Sequence, residues 1–333
     1  MKAALLTRYG GNDGIEITDI PSPKISDDEM LVQVHAASVN PLDFKIRSGK
    51  LKLLLKYPMP LILGNDLSGV VTKTGARVTR FRTGDAIYAR LDKSRIGAFA
   101  EYAVVSEKHA ALMPSNTTFE EAASLPLVAL TAWQALIEIG NVKSGQRVLI
   151  HAGSGGVGSI AIQLARHLGA EVFTTVGKRN FEFVKSLGAD VAIDYRGERF
   201  EAVAKNCDLV LDSAGGDTLV RSFKSVSPGG TVVSIGDTPS AEFAKGWGLN
   251  GILVWIIGFM ARKVSAAAKK SNANYRYLFM QPDGEQLERI AELVQAEIIK
   301  PHLDKVFRLD EVKDALAYSE SGRATGKVVI KIK

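Results

Sequence analysis

Gly153-Ser154-Gly155-Gly156-Val157-Gly158 is the stretch of this sequence with the clearest chemistry, a G-x-G-x-x-G turn with glycines at 153, 155 and 158. It follows the apolar run Val148-Leu149-Ile150-His151 and opens the helical pattern Ser159–Leu168, the strand–turn–helix context that the motif requires. The glycines permit the tight turn, let a diphosphate approach the backbone and let helix and sheet pack closely. Free N–H groups and the positive end of the helix then face the anion. A dinucleotide is the ligand such a turn takes; a glycine-rich turn with no ligand is the bland alternative. About 20 residues past the first glycine, an NAD enzyme presents Asp or Glu to the ribose 2′-hydroxyl. Here that stretch reads Phe173-Thr174-Thr175-Val176-Gly177-Lys178-Arg179-Asn180, with two cations and no acid. The pattern favours the 2′-phosphate of NADP(H), although two cations at a surface turn need do no more than meet water.

Other reactive residue types are sparse. Cys207 is the one cysteine, which excludes a disulfide framework, a multi-cysteine zinc site and a cysteine-ligated iron–sulfur cluster. It suits a reducing compartment and a packed rather than catalytic thiol. The five histidines, His35, His109, His151, His167 and His302, show no metal-ligand spacing. Lys and Arg exceed Asp and Glu by 42 − 36 = 6, a mild and scattered excess that an anionic small ligand explains as well as nucleic acid does. No aromatic-plus-basic strand of the kind that stacks bases is present, so no nucleic acid is expected. The start, MKAALLTRYGG, has no signal-like apolar core, and the expected location is cytoplasmic.

The elements that position the turn are those of an α/β protein. The first 120 residues or so read as short β segments, among them Met30–His35, Gly69–Thr72, Ala86–Ala89 and Ala100–Val105, separated by turn residues. From Thr118 helical spacing sets in, at Thr118–Ala123 and Ala129–Ile139. Strands at Arg147–His151, Glu171–Val176, Val191–Ile193, Asp208–Asp212, Thr231–Ile235 and Tyr275–Met280 then alternate with helices, the last of them Gly284–Ala296. That alternation implies a doubly wound parallel sheet. From Ile299 the tail, with strands at His302–Phe307 and Lys327–Ile332 around a helix at Asp310–Glu320, is expected to return to the first domain. The domains are therefore drawn as 1–121 completed by 299–333, and 122–298. Trp247–Ala261 is an outlier, fifteen residues without a charge followed by the basic run Arg262–Lys270. At about 20 residues for a spanning helix it is too short. A helix buried at a domain or subunit interface is expected there, with a membrane-surface anchor as the alternative.

Taken in order, these stretches resemble the medium-chain dehydrogenase/reductase superfamily, specifically its zinc-free quinone and enone reductase branch. The resemblance covers nearly the whole chain. It is carried by Ser38-Val39-Asn40-Pro41-Leu42-Asp43-Phe44-Lys45, Leu63-Gly64-Asn65-Asp66-Leu67-Ser68-Gly69-Val70, Gly97-Ala98-Phe99-Ala100-Glu101-Tyr102 and Leu125-Pro126-Leu127-Val128-Ala129-Leu130-Thr131-Ala132-Trp133. Leu187-Gly188-Ala189-Asp190, Asp194-Tyr195-Arg196, Leu211-Asp212-Ser213-Ala214-Gly215-Gly216 and Ser321-Gly322-Arg323-Ala324-Thr325-Gly326-Lys327 extend it. The family fold implies a GroES-like β-rich catalytic domain and a Rossmann domain with the active site in the cleft between them. In zinc-dependent relatives a Cys near position 40 and a His in a Gly-His-Glu stretch hold the metal; here those positions read Asn40 and Asn65-Asp66, so no metal is expected.

The resemblance places Asn40 near nicotinamide and substrate, and Thr131 at the nicotinamide ribose or amide. It sets Tyr195 and Lys178 against the 2′-phosphate with Arg179 and Asn180 helping, and adds Arg323 to the cofactor-binding residues. A turn residue before Pro41 is the lesser alternative for Asn40, and Asp43 and Lys45 read equally as cleft groups or as a structural pair. Tyr57 and Tyr88 are candidates for a proton donor by residue type alone. Without a Lewis acid, alcohol–aldehyde interconversion is disfavoured. Hydride addition to an electron-poor C=C or to a quinone is easier, because the acceptor's carbonyl spreads the developing charge. The expected activity is NADPH-dependent reduction of a small apolar enone, alkenal or quinone, in a homodimer. A membrane-surface reductase using the 247–261 segment, and a non-catalytic NADPH-binding protein of crystallin-like or RNA-binding type, are the alternatives. A long apolar 247–260 segment would suit a bulky substrate or a wall over the nicotinamide.

Overall fold

The computed structural model describes residues 1–236 and 238–333. They form two compact units, Met1–Leu130 with Gln281–Lys333, and Thr131–Met280.

The first unit is built on the long strand Glu29–Val39. Antiparallel to it run Asp66–Thr74, Tyr102–Ser106 and Lys327–Lys331. Leu303–Arg308 extends the sheet parallel to Lys327–Lys331, and Ala86–Arg90 and Ala110–Leu112 extend it beyond Asp66–Thr74. A smaller sheet joins Lys2–Leu6 to Ile15–Asp19 and Leu61–Ile62. Met30, Val32 and Val34 alternate inward along the central strand and are fully buried, as period-two side-chain alternation demands. The return of the tail is thus made by hydrogen bonds between Val328–Lys331 and Ala36–Val39.

One expected assignment changes. The helix Gly284–Gln295, expected to end the nucleotide fold, belongs to the first unit. Its buried stripe of Leu287, Ile290, Ala291 and Val294 faces the strand Ala110–Leu112. Burying a leucine there contributes about 2 kcal/mol. A Cβ on Gly284 would stand 2.5 Å from the carbonyl oxygen of Ala110, so the helix start lies directly on the chain. Amphipathic spacing tells that a helix has one apolar face but not which sheet it covers, and so the boundaries at 121/122 and 298/299 differ from those of the compact units.

The second unit holds six parallel strands in the order Val191–Asp194, Glu171–Val176, Arg147–His151, Cys207–Asp212, Val226–Ser234 and Asn274–Tyr277. In chain order that is 3-2-1-4-5-6, the doubly wound arrangement whose switch point lies beside the first strand. Helices cover the sheet, and its strands are near-continuous apolar runs such as Val148-Leu149-Ile150. The helix expected at Ala129–Ile139 begins earlier, at Pro126, and from Gln134 to Ile139 winds as a π-helix.

The apolar segment forms the helix Gly251–Met260, whose Leu253, Val254, Ile257 and Gly258 are half-buried, toward the helix Ala241–Gly246, and whose other six residues are exposed. Within this chain the helix is covered on one face only, and burial at a subunit interface is not tested by a single chain. Among the described residues no single helix is long and apolar enough to cross a membrane.

Candidate cofactor and active site

The phosphate turn is shaped by contacts that leave no room for side chains. Ala152, the residue after the first Rossmann strand, is in a left-handed conformation (φ 54°). A Cβ on Gly153 would stand 2.0 Å from Thr174 Oγ1, and one on Gly158 would stand 2.3 Å from the Ala152 carbonyl oxygen. These two glycines let the helix Gly156–His167 approach the sheet. At Gly155 a Cβ would meet only the Ala152 oxygen, at 3.3 Å. Gly155 is also the helix N-cap and supplies no side chain to the first-turn N–H groups. Gly155, Gly156 and Val157 thus present bare backbone at a helix start, which fits a diphosphate.

The second strand delivers the cations to the same rim. Asn180 Nδ2 donates to Ser154 Oγ at 3.0 Å, tying the short helical turn Lys178–Asn180 to the phosphate turn. Lys178 is exposed, with Nζ 4.0 Å from the buried carboxylate of Asp194. That carboxylate accepts from the backbone N–H of Arg196 at 3.2 Å, and the Asp194 N–H donates to Glu198 at 2.8 Å. The resulting turn after the third strand holds Tyr195 and Arg196 outward. Tyr195 Cε1 lies 3.7 Å from where a Gly177 Cβ would be. The Arg196 guanidinium lies 5.3 Å from the Tyr195 ring centre and donates through Nε to its hydroxyl at 3.1 Å. Arg179 is exposed in the same turn as Lys178. Residues 154, 178, 180, 195 and 196 therefore share one corner at the carboxyl end of the sheet. Arg196 was not among the expected binding residues, although the Asp194-Tyr195-Arg196 stretch contained the signal.

Two more groups finish this edge without having been expected. Asp212 accepts from the N–H of Gly215 at 3.1 Å and from Ser234 Oγ at 2.8 Å, joining the ends of the fourth and fifth strands. Ser213 Oγ donates to the His151 carbonyl at 3.0 Å. Thr131 is buried in the helix Pro126–Trp133. Arg323 lies exposed in the first unit, in the loop before Lys327–Lys331.

In the first unit Asn40 and Asp43 come together at the start of the helix Pro41–Arg47, where Asn40 is the N-cap. The Asn40 backbone N–H donates to Asp43 Oδ2 at 2.7 Å, the reach-back of a capping box. Asn65 Nδ2 donates to the other carboxylate oxygen at 2.6 Å. The Asn40 side chain donates to Asp66 Oδ2 at 3.0 Å, which also accepts from Ser38 Oγ at 2.8 Å. Lys327 Nζ donates to Asn40 Oδ1 at 2.6 Å and to the Val39 carbonyl at 3.1 Å. Arg90, opposite Asp66 in the ladder, donates to the Leu91 carbonyl. All these side chains are buried. Burial pushes the Asp43 carboxyl up to about 7 and raises Asp66, while it lowers Lys327 and Arg90. Lys45 is half-buried on the same helix as Asp43. Of the two tyrosines, Tyr88 is wholly buried and donates to the Leu287 carbonyl of the helix packed over it. Tyr57 donates to the Lys93 carbonyl at 2.6 Å, and burial pushes its hydroxyl up to about 12.

Residues 26–115 match the alcohol dehydrogenase GroES-like domain, and residues 187–330 match the zinc-binding dehydrogenase family. The chain is 36% identical to the 2-methylene-furan-3-one reductase of Solanum lycopersicum, over 99% of this chain and 79% of that protein. The chain belongs to the medium-chain dehydrogenase/reductase superfamily, in its quinone and enone reductase branch. This reductase is also 33% identical to the NADPH-dependent alkenal/one oxidoreductase, chloroplastic, of Arabidopsis thaliana, over 99% of this chain and 79% of that one. Among solved structures, the quinone oxidoreductase from Coxiella burnetii is similar at 34% identity and a TM-score of 0.88, with 100% of this chain and 99% of that chain covered.

Zinc does not fit the residues of this reductase. Where zinc-dependent relatives place ligands it has the Asn40 amide and Asn65-Asp66, and the Lys327 ammonium already sits against the amide oxygen. A metal cation there would be repelled by that charge. Among the described residues no three His, Cys, Asp or Glu side chains are grouped to hold a metal.

Proposed function

We propose that this reductase carries hydride from NADPH to the β-carbon of an α,β-unsaturated ketone or alkenal, or to a quinone. The observation that carries the cofactor choice is the corner at the end of Glu171–Val176. There Lys178 lies beside the turn that holds Tyr195 and Arg196 outward, the nearby Asp194 carboxylate is buried, and residues 173–180 contain no acid for a 2′-hydroxyl. NADPH, when bound, supplies the hydride. The backbone at Gly155, Gly156 and Val157 would bind the diphosphate, and Ser154 and Asn180 would fix the turn that carries it. Lys178 and Arg196 would bind the 2′-phosphate, with Arg179 beside them and the Tyr195 ring as a platform; Arg323 and Thr131 complete the set carried over from the family.

In the first unit, Asn40, Asp43 and Lys45 are the proposed groups toward substrate and nicotinamide. Asp43, pushed up to about 7 by burial, is able to hold a proton near neutral pH. The developing enolate or hydroquinone oxygen needs hydrogen-bond donors rather than a metal. The buried Cys207 thiol, pushed up to about 12, takes no part. Homodimer formation is part of the reading. Asn274–Tyr277 ends the parallel sheet with no further neighbour among the described residues, an edge that a second copy can extend.

NADPH consumption, with NADH as control, tests the proposal against an alkenal, a bulky cyclic enone, a quinone and a simple aldehyde. Turnover with NADPH on the enone or quinone but not on the aldehyde is the expected result. Turnover on the aldehyde alone would overturn the reading of the active site.

A further inference from the structure

The helix Gly251–Met260 carries Ile252, Trp255, Ile256, Phe259 and Met260 at positions i, i+3, i+4, i+7 and i+8. That spacing forms one stripe. The five side chains are 74%, 70%, 41%, 54% and 67% exposed, and the Trp255 and Phe259 rings stack with centres 5.9 Å apart. The chain then bends by 61° into the helix Arg262–Lys270. Val264 and Ala268 of that helix join the apolar core of the second unit, beside Phe223 and Leu219. The same anchoring turns Arg262, Lys263, Lys269 and Lys270 outward. Arg262 covers the end of the apolar stripe, its guanidinium 4.1 Å from the Phe259 ring centre. From Phe243 to Pro282 the sequence contains Lys245, Arg262, Lys263, Lys269, Lys270 and Arg276 and no Asp or Glu. The segment is therefore rich in cations, with Glu242 of the neighbouring helix Ala241–Gly246 paired to Arg276 at 2.8 Å.

We propose that this helix pair seats the protein on an anionic lipid surface. The Gly251–Met260 helix would lie in the plane of the interface, its five side chains at the acyl boundary, with the lysines and arginine of the next helix against lipid phosphates. Large aromatic and aliphatic side chains beside a lysine-rich face are the physical requirement for such a helix. A second copy of the chain fits less well. A two-fold contact puts the same patch against itself, which would oppose cations to cations. A ten-residue helix is about 15 Å long, and one face of it falls well short of the roughly 800 Å² per partner of a stable interface. The proposal stands apart from the reductase reading, since no substrate or nucleotide enters it.

Flotation of the full chain with vesicles of phosphatidylcholine alone, and of phosphatidylcholine mixed with phosphatidylglycerol, tests it. The expected result is binding to the mixed vesicles, weakened by added salt, with a blue shift in tryptophan emission. Trp255→Ser with Phe259→Ser should abolish binding. Lys263→Gln with Lys269→Gln and Lys270→Gln should lower partitioning by roughly a hundredfold, since each basic residue near an anionic surface contributes about a fivefold factor. All five positions are exposed, so circular dichroism and the melting temperature should be unchanged in both variants. Failure of the unaltered chain to bind mixed vesicles overturns the proposal. So does a Trp255→Ser, Phe259→Ser variant that turns a dimer into a monomer while vesicle binding persists, because the stripe would then be a contact between copies.

Discussion

Lys327 Nζ lies 2.6 Å from Asn40 Oδ1, although 287 residues separate the two in the chain. The contact puts a buried cation beside Asp66, whose carboxylate holds the same asparagine from its other end. Replacing Lys327 by Met would leave the buried carboxyls without that charge. Removing one partner from a buried charged network costs about 3–5 kcal/mol, so denaturation by urea should show a loss of that order. Adding Asp66→Asn to Lys327→Met should recover part of it, because the acid that lacked a counter-charge is then neutral.

The cation-lined corner predicts a split between the two nicotinamide nucleotides. Lys178→Ala and Arg196→Ala should each raise KM for NADPH about 10- to 100-fold, the factor that one charge-assisted contact to a phosphate contributes. KM for NADH should hardly move, and kcat with saturating NADPH should stay within a few-fold. Steady-state kinetics with both nucleotides measures this, and equal losses on the two would remove these residues from the 2′-phosphate site.

Glycine replacements separate packing from ligand approach. In Gly158→Ala the new Cβ would lie 2.3 Å from the Ala152 carbonyl oxygen and 2.7 Å from Gly153 Cα, both backbone atoms. The helix must move off the sheet, and a fall in stability of about 2 kcal/mol or more, with loss of NADPH binding, is expected. Gly155→Ala meets one oxygen at 3.3 Å. It should fold with a melting temperature close to that of the unaltered chain and bind NADPH more weakly. Thermal melts with and without the nucleotide distinguish the two.

His151 predicts the acid side of the stability profile. Its ring nitrogens lie 2.9 Å from Thr175 Oγ1 and 3.0 Å from Ser222 Oγ, and burial pulls its pKa from 6.5 down to about 3. The unfolded chain takes up this proton near 6.5 and the native chain only near 3. Stability is therefore lost as pH falls between those values, by up to about 2–3 kcal/mol from pH about 6.5 to about 4.5. Urea melts across that range should show a shallower slope for His151→Gln than for the unaltered chain.

The Rossmann strands were largely legible in the sequence because each is a short β-branched run closed by a turn residue. Arg147–His151 and Glu171–Val176 are read to the residue. The phosphate turn was legible because its chemistry is local: strand, glycines and helix occupy one continuous stretch. The Asn40 network was not, since Lys327, Asp66 and Asn65 reach it from distant strands, and spacing carries no record of which strands pair. Asn40 and Asp43 were singled out, yet Lys327 was seen only as part of a motif. The covering of the helix Gly251–Met260 was not legible for a different reason. Its uncharged composition implies burial, but composition is blind to whether the covering surface belongs to the same chain.

The first unit is assembled from two stretches of chain that flank the whole of the second. During synthesis the nucleotide-binding unit is therefore complete while Glu29–Val39 still lacks the strand Lys327–Lys331, and while Asn40 and Asp66 still lack their ammonium partner. Domains fold as units in the order they become available, so the Rossmann unit can settle first and the β-rich unit must wait for the tail. A chain stopped before residue 327 would carry a finished dinucleotide fold beside a first unit with buried acids and no lysine to meet them. Quality control then falls on the β-rich half, and a truncated product would be recognised there first.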